Sequence, residues 1–347
     1  MDRLTNRRLV ALAAGVLACG LASSTASAQK GPPDQAKGKP PLWVEEAGSF
    51  YAGGQQFFTL LGNSTNPNDS RNPGTVIINQ TYVEYIIPKK KHFPYPILMM
   101  PGGGHTQHVF ETTPDGREGW ATYFPRQGMA TYLSDGVNRG SSSWDLTNVV
   151  LARQGQVSAT AIPSMDRYTF ETAWVGFRIG PAYGVQYPGN QFPVEAFEQY
   201  ANQLVPAFRD AAVENPKNIA ALVAAVDKIG PVVLLGWSQS GLFILHAALQ
   251  RPNLVKGLIF IDSGSGNTAA AALTPQQIAS ISHIPGLALD GDFRDAPTTT
   301  AAILGANATN IWLPRIGITG NGHTMVVEKN NLQIADVVLD WIKEHVK

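Results

Sequence analysis

The chain has 347 residues, of which 44% are hydrophobic, enough to bury the core of one large α/β domain with an insertion or of two smaller domains. Lys and Arg together number 26, as do Asp and Glu, so the formal net charge is zero. This balance excludes the strongly basic surface typical of proteins that bind nucleic acid or anionic membranes, and we expect neither as a partner.

The N-terminal segment has the pattern of a secretory signal peptide. Three arginines among the first eight residues precede an apolar run over 9–21, and Ala26-Ser27-Ala28 provides a small-x-small cleavage site. The run is too short to span a bilayer permanently, so we predict a signal peptide over 1–28 and a periplasmic or secreted product without stable membrane insertion. Cys19, the only cysteine, would be removed with it, so no disulfide is expected. An alternative remains open, in which Val16-Leu17-Ala18-Cys19 is a lipoprotein box and the cysteine is lipidated.

A linker and a group of strands follow. Residues 29–47 begin with a polar stretch rich in Pro, Gly and Lys and are predicted to be a linker, so the folded domain is expected over 48–347. β-branched and aromatic residues predict antiparallel strands over 48–52, 56–61 and 75–87.

A glycine-rich loop follows a short strand that is predicted to be buried on both faces. The strand covers 96–100, and the loop reads Pro101-Gly102-Gly103-Gly104-His105. Glycines let backbone N–H groups approach a ligand closely, although a flexible turn is the alternative interpretation. A helix through Tyr123-Phe124 and a strand over 129–135 continue the alternation typical of an α/β fold.

Between about 151 and 215 this alternation stops. Aromatic residues are dispersed there among Gly and Pro with little strand character: Trp174, Phe177, Tyr183, Tyr187, Phe192, Tyr200 and Phe208. We predict an inserted cap over the functional site. Its aromatic side chains are expected to form chiefly the cap's own core, and contacts with a substrate are the alternative.

The functional prediction depends on Gly236-Trp237-Ser238-Gln239-Ser240. An apolar strand over 231–237 changes at this point into a helix over 240–250, which places Ser238 on a very tight turn. The residues two before and two after the serine are small because the strand and helix backbones come close together there. This pattern is the nucleophile elbow of α/β-hydrolases, and a purely structural turn is the alternative.

An oxyanion hole would accompany such an elbow. In this fold it is formed by backbone N–H groups of the glycine-rich loop and of the residue after the nucleophile. The predicted donors are therefore Gly103, Gly104 and Gln239.

The general base is predicted to be a histidine. A serine is a weak nucleophile unless a base accepts its proton and a carboxylate orients that base, and in α/β-hydrolases the chain order is Ser, acid, His. Of seven histidines, His323 alone follows the last predicted strand, 311–318, in a loop before an amphipathic helix near 328–344. His283 precedes a strand, and His345 lies at the end of the last helix. A surface loop histidine is the alternative interpretation of His323.

Two strand ends offer a carboxylate to orient this histidine. Asp262 follows a strand over 255–261, and Asp290 and Asp292 follow or end a strand over 284–290. Position alone does not separate them, although the more common arrangement in the superfamily places the acid after the later strand. A carboxylate that is not used would cap a turn or helix.

Two other classes of function compete with a hydrolase. A stretch after a strand, with Gly264, Gly266 and Ala269, imitates G-x-G-x-x-A, and Asp290 ends the next strand near the position of a ribose ligand. A dinucleotide-binding oxidoreductase is therefore one alternative, although Pro275 interrupts the helix it requires. A catalytically silent hydrolase fold used for binding is the other. The chain has no H-E-x-x-H, paired cysteines or P-loop, so we expect no metal and no cofactor.

Several longer motifs resemble the exported bacterial α/β-hydrolases of the esterase-713-like family. In chain order they cover 101–105, 111–120, 191–194, 237–241 and 322–336, and the likeness extends over roughly 48–346. The resemblance implies an α/β-hydrolase fold, with a mostly parallel central sheet flanked by helices and an inserted cap. It also implies an exported serine hydrolase that cleaves carboxylic esters through an acyl-enzyme.

The resemblance also selects one acid. The family carries its acid after the sixth strand, which implies Ser238, Asp262 and His323 as the catalytic triad. The sequence departs from the family at the oxyanion loop, where adjacent cysteines can occur and Gly103-Gly104 stand in this chain. Any redox feature of that loop is therefore absent.

Overall fold

A computed structural model describes residues 41–59, 65–69, 72–305 and 307–347. The predicted signal peptide over 1–28, with Cys19, and the predicted linker up to residue 40 lie outside the described residues. No helix within the described ranges is both long and apolar enough to cross a membrane.

One eight-stranded sheet organises the domain, in the order β1-β2-β4-β3-β5-β6-β7-β8. Strand β2 pairs antiparallel with both β1 and β4, whereas all neighbours from β4 to β8 run parallel. The mostly parallel sheet predicted from the sequence is therefore confirmed. The strands are β1 Val44–Thr59, β2 Gly74–Pro88, β3 Ile97–Met100, β4 Thr131–Ser134, β5 Val232–Trp237, β6 Val255–Ile261, β7 Gly286–Asp290 and β8 Ala308–Trp312.

Helices cover both faces of this sheet. On β5, Val233 and Leu235 belong to the same buried cluster as Val338 of the last helix, whereas Val232 and Leu234 face the opposite cluster. A strand buried on both faces is uniformly apolar, as the sequence of β5 is. The helices are α1 Trp120–Arg126, α2 Thr147–Arg153, α3 Phe170–Gly176, α4 Phe197–Asn202, α5 Ala211–Ile229, α6 Ser240–Gln250, α7 Gly264–Ala271, α8 Pro275–Ile281, α9 Thr300–Leu304 and α10 Asn331–His345.

Strand β1 is longer than the sequence predicts. It begins at Val44, inside the predicted linker 29–47, and it continues through Gly53 and Gly54, where we expected a gap between two strands. The glycines adopt φ 66° and 84°; Gly53 pairs with Gln80, Gly54 has no partner in the register, and pairing resumes at Gln55 with Ile78. Because β2 offers partners along its whole length, even the polar start of β1 is extended. The antiparallel pairing itself is as predicted.

The segment between β4 and α5, residues 135–210, is called the insertion below. It starts earlier than the predicted cap over 151–215, because β4 ends at Ser134. It also ends earlier, because α5 begins at Ala211. The side chain of Asp210 caps that helix by accepting from two N–H groups of its first turn. The helix then continues past Pro216.

The insertion has an aromatic core and a short antiparallel ribbon that pairs Met165–Asp166 with Ala207–Phe208. As expected, most of its aromatic side chains pack on one another: Trp174, Phe177, Phe192, Phe197 and Tyr200 are buried in one cluster. Tyr183 contacts this cluster from the surface, where it is exposed.

The C-terminal part differs from the prediction at one strand. The predicted strand over 311–318 is replaced by β8, which ends at Trp312, and by a single helical turn over Leu313–Ile316. Pro314 cannot donate to a strand ladder, which explains the early end of β8.

Candidate active site

Ser238 lies at the turn between β5 and α6, where the sequence predicts it. Its backbone has φ 57°, in the left-handed region that non-glycine residues seldom adopt and that is typical of a strained nucleophile elbow. A Cβ on Gly236 would lie 2.7 Å from the nitrogen of Gly241, so only glycine fits there. The N–H of Ser238 donates to the carbonyl of Ile261 at 2.9 Å, which fixes the turn against the neighbouring strand.

Ser240 does more than leave room for the helix. Its buried hydroxyl lies 2.6 Å from the carbonyl oxygen of Met100 and 2.9 Å from that of Trp237. It therefore ties the first turn of α6 to the end of β3, the strand that leads into the glycine-rich loop. The sequence analysis explained Ser240 only by its small size and did not predict these hydrogen bonds.

Ser238, His323 and Asp262 form one hydrogen-bonded chain. Ser238 Oγ lies 2.8 Å from His323 Nε2, and His323 Nδ1 lies 2.5 Å from Asp262 Oδ2. Because a carboxylate only accepts, Nδ1 carries the proton and Nε2 is left free to accept one. This arrangement can activate the serine hydroxyl as a nucleophile.

The other two carboxylates at this edge of the sheet are occupied elsewhere. Asp290 bonds to Arg294 at 2.6 Å and accepts from the N–H and the hydroxyl of Thr298 at 2.9 and 2.8 Å. The carboxylate of Asp292 accepts from two backbone N–H groups. Neither aspartate bonds to His323.

The other histidines considered as bases also lie apart from the serine. His283 Nε2 is 3.1 Å from the carbonyl of Pro252, and His345 Nδ1 is 2.9 Å from that of Trp341. Within the described ranges, His323 is therefore the only histidine that contacts Ser238 through a hydrogen bond.

Two arginines surround the carboxylate of Asp262, which is only 2% exposed. Arg178 Nη2 lies 2.5 Å from Oδ2, and Arg294 Nη1 lies 2.7 Å from Oδ1. Burial acts to raise the pKa of Asp262, but His323 and the two arginines outweigh it and hold that pKa well below its usual range. The acid is therefore ionised at neutral pH. Sequence reasoning missed both arginines, since neither lies in a motif that distinguishes it from a surface cation.

A buried carboxylate holds the loop that carries His323. Glu328 is fully buried; its Oε1 accepts from the N–H of Gly322 at 2.9 Å, and its Oε2 accepts from Nδ2 of Asn321 at 2.8 Å. Burial raises the pKa of Glu328 to about 7 in spite of these hydrogen bonds. Sequence reasoning also missed this residue, although it lies within the motif over 322–336.

Two of the sequence motifs, 111–120 and 322–336, contact each other. Arg117 donates to three backbone carbonyls of the second motif at 3.0 to 3.1 Å. Trp120 Nε1 donates to the carbonyl of Asn331 at 2.9 Å. The first motif therefore braces the segment that follows His323 rather than lining the site itself.

The glycine-rich loop lies directly against Ser238, where an oxyanion loop is expected. A Cβ on Gly102 would lie 2.8 Å from Cβ of Ser238, and Gly104 has φ 72°. In the described part of the chain, the N–H groups of Gly103, Gly104 and Gln239 donate to no other protein group. Gly103 and Gln239 also line the cavity beside the serine, whereas Gly104 is buried and does not line it.

His105 fixes this loop from behind. It is buried, and burial lowers its pKa to about 3, so the ring is neutral at physiological pH. Its Nδ1 lies 3.0 Å from the carbonyl of Gly103, and its Nε2 lies 2.8 Å from the hydroxyl of Tyr200. Nδ1 must donate to the carbonyl, so Nε2 accepts from Tyr200. The histidine links the loop to the aromatic core of the insertion.

A cavity of about 490 Å³ opens beside the serine. Its lining includes the three residues of the hydrogen-bonded chain together with Gly103 and Gln239. The insertion contributes Tyr168 and Phe208, so some of its aromatic residues do reach the cavity. Charged residues of the lining are Arg139, Arg178, Arg209, Glu214, Asp262 and Arg294.

The loop after β6 does not present an open nucleotide turn. The hydroxyls of Ser263 and Ser265 lie 2.5 and 2.8 Å from the carbonyl oxygen of Ser238, so the segment with Gly264 and Gly266 braces the elbow. The alternative ribose ligand, Asp290, is engaged by its own neighbours as described above. These contacts account for the stretch that imitates a dinucleotide motif.

The known proteins that are similar to this chain include a bacterial esterase and a probable secreted lipase. A bacterial esterase whose structure is known at atomic resolution is 31% identical and has a TM-score of 0.81, over 89% of this chain and 98% of the esterase. The chain belongs to the family of that esterase. The predicted α/β-hydrolase fold is thereby confirmed, whereas the narrower esterase-713-like assignment stays a prediction.

A second relative of this hydrolase is a probable secreted lipase, phiG, of a fungal species (strain ATCC 74256). It is 28% identical over 318 residues, which cover 76% of this chain and 85% of the lipase. No protein-family model matches the hydrolase.

Proposed function

We propose that this hydrolase is an exported serine carboxylesterase. The observation that carries the proposal is the unbroken hydrogen-bonded chain from Ser238 through His323 to Asp262. Its similarity to a bacterial esterase and to a probable secreted lipase supports carboxylic esters as the substrate class. A cavity of about 490 Å³ suits a small ester.

Acylation begins when Ser238 Oγ attacks the carbonyl carbon of the ester. His323 Nε2 takes the hydroxyl proton, and the carbonyl oxygen becomes negatively charged in the tetrahedral intermediate. The N–H of Gln239, with that of Gly103 or Gly104, donates to this oxyanion. The intermediate then collapses, the carbon–oxygen bond to the alcohol breaks, and His323 returns the proton to the leaving oxygen. An alcohol departs and the acyl group remains on Ser238.

Deacylation repeats these steps with water as the nucleophile. His323 takes a proton from the water as its oxygen attacks the acyl carbon, and the same N–H groups stabilise the second oxyanion. Breaking the bond to Ser238 Oγ releases the acid and restores the hydroxyl with the proton held by His323. No redox step is required.

Asp262 contributes through His323. Its carboxylate accepts from Nδ1, which holds the tautomer that leaves Nε2 able to accept a proton, and its charge stabilises the imidazolium formed in each step. The pKa of this carboxylate lies well below its usual range, because His323 outweighs the effect of burial with the help of Arg178 and Arg294. The acid therefore stays ionised. The positive charges of the two arginines also prevent the acid from competing for the proton.

A fluorophosphonate probe tests the chemistry. Covalent capture that disappears in Ser238→Ala, together with hydrolysis of short aryl esters by the wild type, is the expected result. An unlabelled, folded wild type that cleaves no ester would instead favour a catalytically silent hydrolase fold. A panel of aryl and alkyl esters of graded acyl length would then define the acyl preference.

Export is the second part of the proposal. The pattern over 1–28 and the similarity to a probable secreted lipase support it. Expression of the full chain in a Gram-negative host, followed by fractionation and N-terminal sequencing, should give periplasmic protein that begins at Gln29. Protein retained at the membrane with a lipid on Cys19 would favour the lipoprotein alternative. Cytoplasmic protein with residues 1–28 intact would contradict export.

A further inference from the structure

Arg139 is a buried cation in the wall of the active-site cavity. It follows β4 in a loop, and Gly136 leaves room for it, because a Cβ there would lie 3.3 Å from Cδ of the arginine. Arg139 is only 5% exposed. Burial lowers its pKa to about 10, which still leaves the guanidinium charged at neutral pH. A charge in such a place is costly unless something compensates it.

The protein compensates this charge incompletely. Nη1 of Arg139 donates to the carbonyl of Gly102 at 3.2 Å, and Nη2 donates to Oε1 of Gln239 at 2.8 Å. Both acceptors are neutral. A guanidinium carries five N–H groups, so three remain without a protein acceptor among the described residues.

The other arginines of the cavity differ in this respect. Arg178 and Arg294 both bond to the acid of the triad. Arg209 pairs with Asp166. Within the described ranges, Arg139 has no carboxylate at ion-pair distance.

The acid whose charge acts most strongly on Arg139 is itself bound by other groups. This acid is Glu214, which lines the same cavity and raises the pKa of Arg139 against the effect of burial. Its Oε1 lies 2.8 Å from Nζ of Lys217, and its Oε2 accepts from Nδ2 of Asn138 at 2.9 Å. Glu214 is therefore balanced by its own cation, and the cavity retains a positive excess at Arg139.

We propose that Arg139 binds a carboxylate of the substrate, so that the preferred esters of this enzyme carry a second, ionised carboxyl group. The inference rests on the proposed esterase function, since it names a substrate class for that site. A planar guanidinium with free N–H groups matches a carboxylate, and a charge-assisted hydrogen bond is strong in a site shielded from water. The contacts with Gly102 and Gln239 place the cation directly beside both segments of the predicted oxyanion hole. The second carboxylate can therefore lie close to the scissile ester.

Two matched ester pairs test the proposal. The acyl-side pair is para-nitrophenyl hydrogen glutarate and para-nitrophenyl valerate, which have acyl chains of equal length. The alcohol-side pair is para-acetoxybenzoate and its methyl ester. For each pair the readout is the ratio of kcat/KM for the charged ester to that for the neutral ester. Comparing this ratio between variants cancels the intrinsic reactivity of the esters.

Arg139→Gln should lower the ratio by about 10- to 100-fold in at least one pair, the usual effect of removing a hydrogen bond to a charged group. Arg139→Lys should fall in between, because it keeps the charge and loses the planar fork. Arg251→Gln is the control, since this residue caps the far end of α6 and pairs with Asp227. Its ratios should equal those of the wild type.

An unchanged ratio in both pairs would overturn the proposal. In particular, an equal loss on charged and neutral esters would mean that Arg139 only positions the oxyanion hole. If Arg139→Gln does not fold, inhibition of the wild type decides: glutarate should compete with the valerate ester and glutaramide should not, and equal inhibition would refute the inference. Failure of the esterase proposal is distinguishable, because then none of the four esters is cleaved and Ser238 is not labelled.

Discussion

Glu328 accepts a hydrogen bond from the backbone N–H of Gly322 at 2.9 Å, so a fully buried acid holds the residue immediately before His323. The backbone that carries the imidazole is therefore held by Glu328, and the ring itself is held by Asp262. The backbone around His323 is otherwise tied to the insertion, since its own N–H donates to the carbonyl of Phe177 at 2.9 Å.

Glu328 should make stability depend on pH. Burial raises its pKa from 4.5 to about 7, so its contribution to stability is fully present below pH 4.5 and is lost as the pH rises through about 7. Glu328→Gln cannot ionise and places an amide against neighbouring donors, which should cost about 1–3 kcal/mol at acid pH. We expect this deficit to shrink as the pH rises through the window from 4.5 to about 7. Urea unfolding across this pH window measures the deficit.

The control for this experiment is Glu344→Gln, which changes an exposed residue near the end of α10. It should leave the pH dependence of unfolding as in the wild type. A deficit for Glu328→Gln that is constant over the whole window would show that Glu328 ionises normally in the folded protein.

Two serines of the elbow should respond differently to alanine. Ser238→Ala should fold normally and lower kcat by about four orders of magnitude or more, because it removes the proposed nucleophile. Ser240→Ala should keep most of its turnover per folded molecule. However, it should lower the free energy of unfolding by about 1–3 kcal/mol, because the carbonyl of Met100 loses its buried donor. Active-site titration combined with urea unfolding separates the two effects.

The opposite pattern would contradict the assignment of the nucleophile. A Ser240→Ala enzyme that folds stably but is inactive, beside an active Ser238→Ala, would mean that the elbow has been misinterpreted.

Arg294 should stabilise the protein by bridging two buried carboxylates. Its Nη1 lies 2.7 Å from Asp262 and 2.6 Å from Asp290. Since 22% of its side chain is exposed, we expect Arg294→Gln to cost about 1–3 kcal/mol, less than the loss of a fully buried partner. Thermal and urea unfolding measure this cost, and Arg315→Gln is a control at an exposed position.

The same substitution should have a pH signature. Burial, followed by the charge of Asp262, raises the pKa of Asp290, so the stability from this group is present below its usual pKa and is lost as the pH rises through the raised value. Without Arg294 that pKa rises further, and the loss extends to higher pH. The deficit of Arg294→Gln should therefore be larger at about pH 8 than at about pH 4. A smaller deficit at the higher pH would contradict this account.

Local sequence was sufficient for the elbow but not for its charged surroundings. A strand, a tight turn and a helix around Ser238 follow from residues adjacent in the chain, and so does the glycine loop after β3. Arg139 and Arg178 reach the cavity from the insertion, whose irregular backbone has no period from which a side-chain direction could be predicted. The role of Glu328 could not be predicted for another reason. A charged residue next to a loop is normally solvated, and the burial of Glu328 depends on packing against residues distant in the chain.

Position along the chain could not identify which aspartate orients His323. Parallel strands deliver Asp262 and Asp290 to the same edge of the sheet, only about 5 Å apart in strand spacing. What separates them is local geometry: Asp262 has φ 44°, in the left-handed region, and its carboxylate reaches the imidazole, whereas Asp290 bonds to Thr298. Only the family resemblance favoured Asp262.

Replacing each of these acids by its amide tests that distinction most directly. Asp262→Asn keeps the shape of the side chain but removes the charge that stabilises the imidazolium, and it allows the wrong tautomer of His323. We expect kcat to fall by roughly four orders of magnitude, with folding intact by circular dichroism. Asp290→Asn should stay within about tenfold of the wild type, because its carboxylate does not bond to the histidine.

The comparison also has an internal check, because the two variants alter stability with opposite pH dependence. The pKa of Asp262 is depressed, so its stabilisation is present above pH 3.8 and is lost as the pH falls below that value. The pKa of Asp290 is raised, so its stabilisation is lost instead as the pH rises. Unfolding of Asp262→Asn should therefore differ most from the wild type at neutral pH. If Asp262→Asn remains within tenfold of wild-type turnover while Asp290→Asn is inactive, the acid belongs to β7 and the proposed triad is wrong.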